Sequence, residues 1–335
     1  SETLPHWDVS NVFPGLGSKE LKRSIQHLET QIEELDRFLS LHRVTQGGPV
    51  PLELAALAGC IGGYLDRMNA LRKLGDTLRY YVYAYVTTDS YNTTARRTMS
   101  ELEPKLVSLE RQEVLFRGWI GTVAERSGAL EAVLAGEGPA TDHAFHLHET
   151  AEQSRYLMSV VEETLASELA LSGARAWEKL QGVVTSQLKV PFEQDGLVET
   201  LPITVVQTMR SRPEEDMRRR AYEAELAGWE SVREPLAACL NGIKGAVNTL
   251  DRRRGRSDAL HTALDQARID RETLEAMLGA MRDSFPAFRR YWQTKAHLLG
   301  KESLPWWDPV SYTHLTLPTS CVECRSGWSG GRGLG

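Results

Sequence analysis

Three histidines and two glutamates lie within ten residues and form the densest group of potential metal ligands in the sequence. They are His143, His146, His148, Glu149 and Glu152. A zinc peptidase helix carries the pattern His-Glu-x-x-His, which points two histidines at one metal and lets the glutamate activate the metal-bound water. Here Glu152 stands where the second histidine would be. We therefore expect exposed polar residues of a helix, although the spacing of His143 and His146 could also hold a metal.

A second set of zinc-type ligands lies near the end of the sequence, where Cys321 and Cys324 form a Cys-x-x-Cys downstream of His314. No second pair of cysteines or histidines accompanies it, so the sequence gives little support for a metal or redox role. The glycine-rich residues 15–19 faintly resemble a phosphate loop. They lack its spacing and its preceding strand, so we interpret them as a turn before a helix.

The other chemistry-bearing residues do not suggest an active site. No Ser/His/Asp or Cys/His arrangement can be assembled from local sequence. Cys60 and Cys239 lie in apolar, helical segments, which predicts two buried free thiols and fits a reducing cytoplasm. From the residues alone, the sequence predicts no catalytic, cofactor-binding or metal-binding residue in this chain.

The composition, with 25% charged and 41% hydrophobic residues among 335, is typical of a globular protein. The net charge of −6 argues against a general nucleic-acid binder, which normally has a basic surplus. The longest uncharged apolar run, Leu54 to Leu65, is shorter than the roughly 18–20 residues that a membrane span needs. The first residues lack the features of a secretory signal. We therefore expect a cytoplasmic protein that binds neither nucleic acid nor membrane.

Helical periodicity dominates the first 300 residues. The clearest apolar stripe follows Ser18, its predicted N-cap, at intervals of three and four residues. Its members are Leu21, Ile25, Leu28, Ile32, Leu35 and Leu39. Further helices are predicted from Pro51 to about 86, around 99–109 with Pro104 at a kink or in the first turn, and over about 142–171, 174–185, 214–250, 271–284 and 285–299.

One segment, residues 187–204, departs from this helical pattern. Two short β-prone runs flank residues 194–196, where Asp195 and Gly196 form a hairpin turn signal. Pro191 and Pro202 mark the runs as edge strands. The predicted fold is therefore all-α with one small β-ribbon.

The sequence changes character near residue 310. Among the 25 residues 311–335, only three are charged and 12 are Gly, Ser or Thr. The preceding sequence is a long series of charged, amphipathic helices. Because the composition changes so abruptly, we interpret residues 311–335 as an unrelated tail, disordered or artefactual, and the alternative is a natural, divergent C-terminus.

Between residues 7 and 308, several blocks occur in an order and spacing that resemble the M3 family of zinc oligopeptidases, in its oligoendopeptidase F branch. The early blocks are Trp7-Asp8-Val9-Ser10-Asn11-Val12-Phe13-Pro14, Tyr83-Ala84-Tyr85 with Thr88-Asp89, and Glu162-Glu163-Thr164-Leu165-Ala166 with Gly173-Ala174-Arg175-Ala176-Trp177-Glu178-Lys179-Leu180. The later blocks are Arg220-Ala221-Tyr222-Glu223-Ala224, Leu240-Asn241-Gly242-Ile243-Lys244-Gly245, Arg253-Arg254-Gly255, Tyr291-Trp292 with Lys295-Ala296 and Leu299-Gly300, and Trp306-Trp307-Asp308.

The resemblance implies a mostly helical, clam-like enzyme in which zinc, held in a deep channel, activates water to hydrolyse short peptides. Members bind zinc through His-Glu-x-x-His and a glutamate on a following helix, and no position here matches those ligands. The resemblance also implies an N-terminal helical region at 1–112, an oligoendopeptidase F-type helical module with the β-ribbon at 113–205, and the start of the catalytic domain at 206–310.

In the family, the zinc motif lies beyond the block that ends at Asp308. The resemblance therefore implies the N-terminal half of such an enzyme, truncated before its zinc motif, without catalytic zinc and inactive alone. The alternative is a non-enzymatic helical interaction protein that keeps the same scaffold. If the chain lacks its other half, helices between 206 and 300 should present apolar faces to solvent.

Overall fold

The computed structural model describes residues 8–194 and 196–309, which form thirteen α-helices and one two-stranded sheet. The helices are α1 (Lys19–Leu41), α2 (Leu54–Thr88), α3 (Thr93–Glu125), α4 (Ala129–Leu134), α5 (Pro139–Asp142), α6 (Ala144–Ser154), α7 (Val160–Ala170), α8 (Ala174–Gln187), α9 (Ile203–Thr208), α10 (Glu215–Ser231), α11 (Arg233–Arg253), α12 (His261–Ala267) and α13 (Arg271–Leu298). The strands are β1 (Lys189–Gln194) and β2 (Leu197–Pro202). The predicted all-α fold with a small β-ribbon is confirmed.

Several predictions fall on residues that lie outside the described ranges. They concern Trp7, Asp195, His314, Cys321, Cys324 and the whole tail at 311–335. The predicted module boundaries stay a prediction. The described residues divide into two compact units, one formed by residues 8–187 and 234–270 and the other by residues 188–194, 196–233 and 271–309.

The first unit is built on the mutual packing of α1, α2 and α3, with α6 and α7 against α3. Ser18 caps α1, because its side chain accepts a hydrogen bond from the Leu21 N–H at 3.2 Å. The predicted stripe of α1 faces this core and is buried except for Ile25, which is half-buried. Between α1 and α3, the buried amide of Gln112 donates to the Ile32 carbonyl at 2.8 Å. The 3.6-residue periodicity therefore predicted this packing correctly.

The second unit has its own small core, where β1, α9 and the following 3-10 turn (Met209–Ser211) pack against α10. The two strands pair antiparallel in the register Lys189↔Pro202 to Gln194↔Leu197. A two-residue turn therefore joins them, and Gly196 has a φ of +78°, as a tight hairpin requires. The core residues are Leu188, Val190, Phe192, Ile203, Val206, Met209 and Ala221.

Three predicted helix boundaries are wrong. The helix expected over 142–171 is broken, because Ser159 and Glu162 form a capping box that begins α7 after a turn at 155–159. The helices expected at 271–284 and 285–299 are one helix, α13, with Pro286 in its interior. Pro286 has no backbone N–H, so the Arg282 carbonyl lacks its hydrogen bond within the helix. Both residues are exposed, and water can bind this carbonyl instead. The single helix expected over 214–250 is two helices, α10 and α11, and Val232 between them is the C-cap of α10.

Pro104 lies in the interior of α3, not in its first turn. The short helices α4, α5, α9 and α12 were not predicted. The two thiols among the described residues, Cys60 and Cys239, are free and buried as predicted. Burial raises the pKa of Cys60 to about 11, so the group stays a thiol near neutral pH.

Gly228 brings α10 against the β-ribbon. A Cβ atom added there would lie 2.4 Å from Cγ1 of Val190 and 3.2 Å from Cδ1 of Ile203, both buried. We expect Gly228→Ala to lower the free energy of unfolding by about 1–3 kcal/mol, because a stiff β-branched side chain must move. Urea unfolding followed by circular dichroism measures this change.

The control for this prediction is Gly245→Ala on α11, where an added Cβ meets nothing within 4 Å. Alanine should stabilise that exposed helical position by about 0.5–1 kcal/mol, because it restricts the unfolded chain. Equal effects of the two substitutions would contradict the proposed packing of Gly228.

Candidate functional site

His143 lies at the start of α6, and both of its ring nitrogens are occupied. The Asn69 amide lies 3.2 Å from Nε2, and the Pro139 carbonyl lies 2.9 Å from Nδ1. The amide nitrogen donates and the carbonyl accepts, so Nδ1 carries the proton. Since the lone pair of Nε2 is used by Asn69, His143 serves as a connection between α2, α5 and α6.

The other members of the predicted cluster have separate partners. His148 is exposed, and its Nδ1 lies 3.7 Å from a carboxylate oxygen of Glu131 on α4. The guanidinium of Arg268 binds both carboxylate oxygens of Glu149, at 3.0 and 3.2 Å. Glu152 pairs with Arg155 at 3.0 Å. His148 and Glu152 are therefore exposed helix residues, as the sequence predicted, whereas Glu149 is half-buried and pairs with a residue far away in the sequence.

His146 is exposed on α6 but has a pKa below the ordinary histidine value. The main cause is the loss of water around part of the ring, and the positive charges of Arg72 and Arg117 act in the same direction. Within residues 8–194 and 196–309, no three His, Cys, Asp or Glu side chains come together as metal ligands could.

The structure brings together one group that sequence reasoning missed, formed by Ser257, His261 and Asp265. Oγ of Ser257 lies 3.2 Å from Nδ1 of His261, and Nε2 lies 3.7 Å from a carboxylate oxygen of Asp265. The spacing of four residues between His261 and Asp265 could have indicated their part of the group, since both share one face of α12. Ser257 lies before that helix. The order Ser-His-Asp raises the question of a nucleophilic serine.

The contacts of this group indicate a structural cap rather than a catalytic triad. The backbone N–H of Ser257 also points at Nδ1 of His261, at 3.2 Å. Asp265 receives hydrogen bonds from Gln153 at 2.9 Å and from Arg256, and although burial raises its pKa, these bonds hold the pKa below its usual range. The nearby N–H groups of Leu260 and His261 donate to Asp258, so they do not form an oxyanion hole.

A cavity of about 320 Å³ opens between α3, α4 and α6 and is lined mainly by polar atoms. Three glutamates line it, Glu125, Glu131 and Glu152, together with His148 and Arg155. Two of these carboxylates already face His148 and Arg155, as described above. The cavity is therefore an acidic recess whose charges are largely paired within the protein, and it does not have the form of an active site.

The most deeply buried charges of the second unit join α10 to the segment after α13. Arg218 donates to Asp308 at 3.1 Å from Nε and at 2.6 Å from one terminal nitrogen, and Lys301 binds the other carboxylate oxygen. The side chains of Arg218 and Asp308 are 4% and 0% exposed. The Tyr222 and Trp307 rings also meet, with centroids 5.7 Å apart. These contacts fasten residues 301–309 to α10.

Helices between residues 206 and 300 expose many large apolar side chains, as the sequence predicted. The exposed members are Leu226, Leu240, Val247, Leu260, Met277, Met281, Phe285, Phe288, Tyr291, Trp292 and Leu298. More than half of them lie on α13, which buries only Lys295 and Ala296, near its end. Such a concentration on one helix is typical of an interaction surface. None of the described helices is long and apolar enough to cross a membrane.

Comparisons with known proteins match the fold and not the sequence. No protein-family profile and no curated protein sequence matches the chain. The structure of oligoendopeptidase-F from Enterococcus faecium superposes with a TM-score of 0.72 and 13% identity over 88% of this chain and 56% of that one.

Two further structures match with a TM-score of 0.55. One, from Chlamydophila abortus, is assigned as a peptidase and is 14% identical over 91% of this chain and 49% of its own. The other, from Bacillus anthracis str. Ames, is assigned as an oligoendopeptidase F and is 10% identical over 86% and 48%. This chain thus spans about half the length of the structures it matches, and over that length it has the oligoendopeptidase F fold.

Proposed function

We propose that this chain is the scaffold part of a zinc-dependent M3 oligopeptidase of the oligoendopeptidase F branch, which hydrolyses short peptides in the cytoplasm. Its zinc ligands belong to sequence outside these 335 residues. The observation that carries the proposal is the match to oligoendopeptidase-F over 88% of the chain despite 13% identity. Such a fold match does not by itself assign an activity. The second line of support for the proposal is the series of family-like sequence blocks between residues 7 and 308.

Two of the blocks on which the resemblance rests meet in space. Tyr222 belongs to the block on α10, Trp307 belongs to the block that ends at Asp308, and their rings are in contact. Asp308 itself binds Arg218, next to the same α10 block. Blocks that are about 85 residues apart in sequence therefore form one packed cluster, which supports treating them as parts of a single fold pattern.

The 335-residue chain should not catalyse the reaction alone, because its sequence contains no His-Glu-x-x-His. Residues 148–152 match this motif except at Glu152. The glutamate that would activate water in this near match is Glu149, and Arg268 neutralises it through two hydrogen bonds. A general base must have a free lone pair near its substrate water, so this carboxylate is poorly placed for that role.

The near match leads to a specific prediction. Glu152→His completes the motif on α6, and the two histidines one turn apart should bind zinc weakly, because the acid beside His148, Glu131, is 68% exposed and lies 3.7 Å from it, outside hydrogen-bonding distance. We expect weak zinc binding by calorimetry and no chelator-sensitive cleavage of a quenched fluorescent peptide. The control is Glu168→His, which adds a histidine at an exposed position of α7, away from the histidines of α6. Chelator-sensitive cleavage by Glu152→His would show that α6 is a latent active site.

The proposal is tested by sequencing the transcript through codon 310 and expressing the complete product. We expect the reading frame to continue into a His-Glu-x-x-His segment, and the product to cleave a quenched peptide in a chelator-sensitive way. The isolated 335-residue chain should show no such cleavage. A complete product without a zinc motif would contradict the proposal.

The second candidate is a non-enzymatic interaction protein built on the same scaffold. The observation that favours it is the apolar surface of α13, since exposed patches of this kind mark sites of protein association. The same transcript separates the two candidates. A stop codon directly after Gly335, found in independent clones, would favour the interaction protein.

A further inference from the structure

Five large apolar side chains form a continuous stripe along α13. They are Met277, Met281, Phe285, Phe288 and Trp292, and between 37% and 57% of each is exposed. Their intervals of four, four, three and four residues place them on one face of the helix over about four turns. Aromatic and methionine side chains are enriched in protein interfaces. The α13 stripe therefore has the pattern and the composition of a helix-binding surface.

Two arginines lie along one edge of this stripe. Arg282 and Arg289 are seven residues apart, so they lie on the same side of the helix, next to the apolar residues. Both are exposed, and neither forms an ion pair with a residue in the described part of the chain. Arg290 projects from the opposite side of α13, away from the stripe. Glu275, a further seven residues before Arg282, lies on the same side and is also exposed. The surface thus combines an apolar centre with an edge that carries two arginines beside Phe285 and one glutamate towards the start of the helix.

These charges argue against an antiparallel second copy of α13 as the partner. In an antiparallel pair centred on Phe285, Arg282 of one helix would lie beside Arg289 of the other. This arrangement places like charges together at the edge of the contact, which disfavours association. In a parallel two-fold pair the two arginine edges would lie on opposite sides of the contact, so these charges give that arrangement no support. A partner with acidic residues along the facing edge would instead be attracted.

We infer that the α13 stripe is the docking surface for an amphipathic helix with an acidic edge, and that this helix belongs to the part of the peptidase fold outside these 335 residues. This inference rests on the proposed function. The matched structures are about twice as long as the matched region, since the chain covers 56%, 49% and 48% of them. The remaining part of such a fold must bury apolar surface of its own, and α13 offers a long unburied one.

The probes for this surface are two synthetic four-heptad peptides with leucine at the a and d positions. One carries glutamate at the e and g positions and the other carries lysine, so they differ only in the charge of their edges. The 335-residue chain should bind the glutamate peptide about tenfold more tightly in low salt, as measured by fluorescence anisotropy. Equal affinities for the two peptides would overturn the inference.

Substitutions identify the surface and its charged edge. Arg282→Glu combined with Arg289→Glu should reverse the preference in favour of the lysine peptide, whereas the control Arg290→Glu should leave it unchanged. Met281→Ser combined with Phe288→Ser should weaken binding of both peptides. If the preference survives the double charge reversal, the peptides bind elsewhere and the assignment to α13 is wrong.

A last pair of measurements tests the source of the partner helix. In the complete transcript product, the docked helix should cover α13, so the glutamate peptide should no longer bind. Binding to that product would mean that the face stays open and serves a separate protein.

Light scattering tests whether a second copy is the occupant. If the 335-residue chain forms a dimer and Met281→Ser abolishes it, a second copy covers α13. The zinc content of the complete product is measured independently, so failure of the docking inference and failure of the proposed function remain distinguishable.

Discussion

Asp308→Asn should lower the free energy of unfolding of the second unit by about 3–5 kcal/mol, because it leaves the guanidinium of Arg218 buried without its counter-charge. Arg218 is 4% exposed, and besides Asp308 it contacts only the carbonyls of Arg212 and Pro213 among the hydrogen bonds seen in the described chain. Water can therefore do little to compensate. Urea unfolding followed by circular dichroism provides the measurement.

Two controls separate this effect from a general sensitivity of the region. Glu215→Gln removes a 53% exposed partner of Lys301 and should cost less than about 1 kcal/mol. The double change Arg218→Met with Asp308→Leu removes both buried charges and should be more stable than Asp308→Asn. If Asp308→Asn is no worse than Glu215→Gln, the buried pair does not fasten residues 301–309.

The same pair predicts how stability depends on pH. Burial raises the pKa of Asp308, but hydrogen bonds from Lys301 and Arg218 outweigh it and hold the pKa below the ordinary aspartate value. The carboxylate therefore stabilises the folded state above the unfolded pKa of about 4, and this contribution is lost as the pH falls through the folded pKa. The contribution should be absent from the acid unfolding curve of Asp308→Asn.

Glu163→Gln should be the next most damaging substitution, with a cost of about 3 kcal/mol in the first unit. Glu163 is 1% exposed and binds Arg254, directly after α11, at 2.9 and 2.6 Å, and it also accepts the N–H of Met158 at 3.1 Å. The cost falls at the lower end of the range for buried pairs, because Arg254 is 31% exposed and can be partly hydrated.

The neighbouring residue supplies the matched control for this second prediction. Glu162→Gln keeps the capping interaction with Ser159, since glutamine serves at that position as well. It loses only an exposed ion pair with Arg253 and should cost less than about 1 kcal/mol. Chemical denaturation of both variants gives the comparison, and equal losses would mean that the Glu163 pair contributes no more than a surface contact.

The stability that depends on Glu163 should also be lost in acid. Burial opposes ionisation of this carboxylate, but the bonds from Arg254 and the Met158 N–H more than offset it, so its pKa lies below the usual glutamate range. The contribution is therefore complete above the unfolded pKa of about 4.3 and disappears as the pH falls through the folded pKa.

Sequence periodicity predicted the long helices well, because each buries a regular stripe. The α1 stripe and the tyrosine-rich end of α2, with Tyr81 buried and hydrogen-bonded to the Phe13 carbonyl at 2.9 Å, are examples. The errors lie where local signals compete. Apolar spacing alone would continue one helix through residues 155–159, but α6 ends at Ser154 and the capping box at Ser159 begins α7. Pro286 did not end α13, whose flanking turns maintain the helix.

The candidate site was less predictable, because it depends on tertiary contacts. The missing second histidine already argued against a zinc motif at His148 and Glu149. Only the structure shows that Glu149 binds Arg268, which is 119 residues away in the sequence. Likewise, the link between Gln153 and Asp265 joins segments 112 residues apart. No local pattern specifies such pairs, whereas the i, i+4 spacing on α12 alone brings His261 to Asp265.

The zinc content of two purified proteins, measured by inductively coupled plasma mass spectrometry, tests the central claim most directly. The claim is that this chain is the scaffold part of a zinc oligopeptidase and that its metal ligands lie outside these 335 residues. We predict about one zinc per molecule in the complete transcript product, removable by a chelator, and none bound tightly by the 335-residue chain. One tightly bound zinc in the 335-residue chain, or none in the complete product, would contradict the claim.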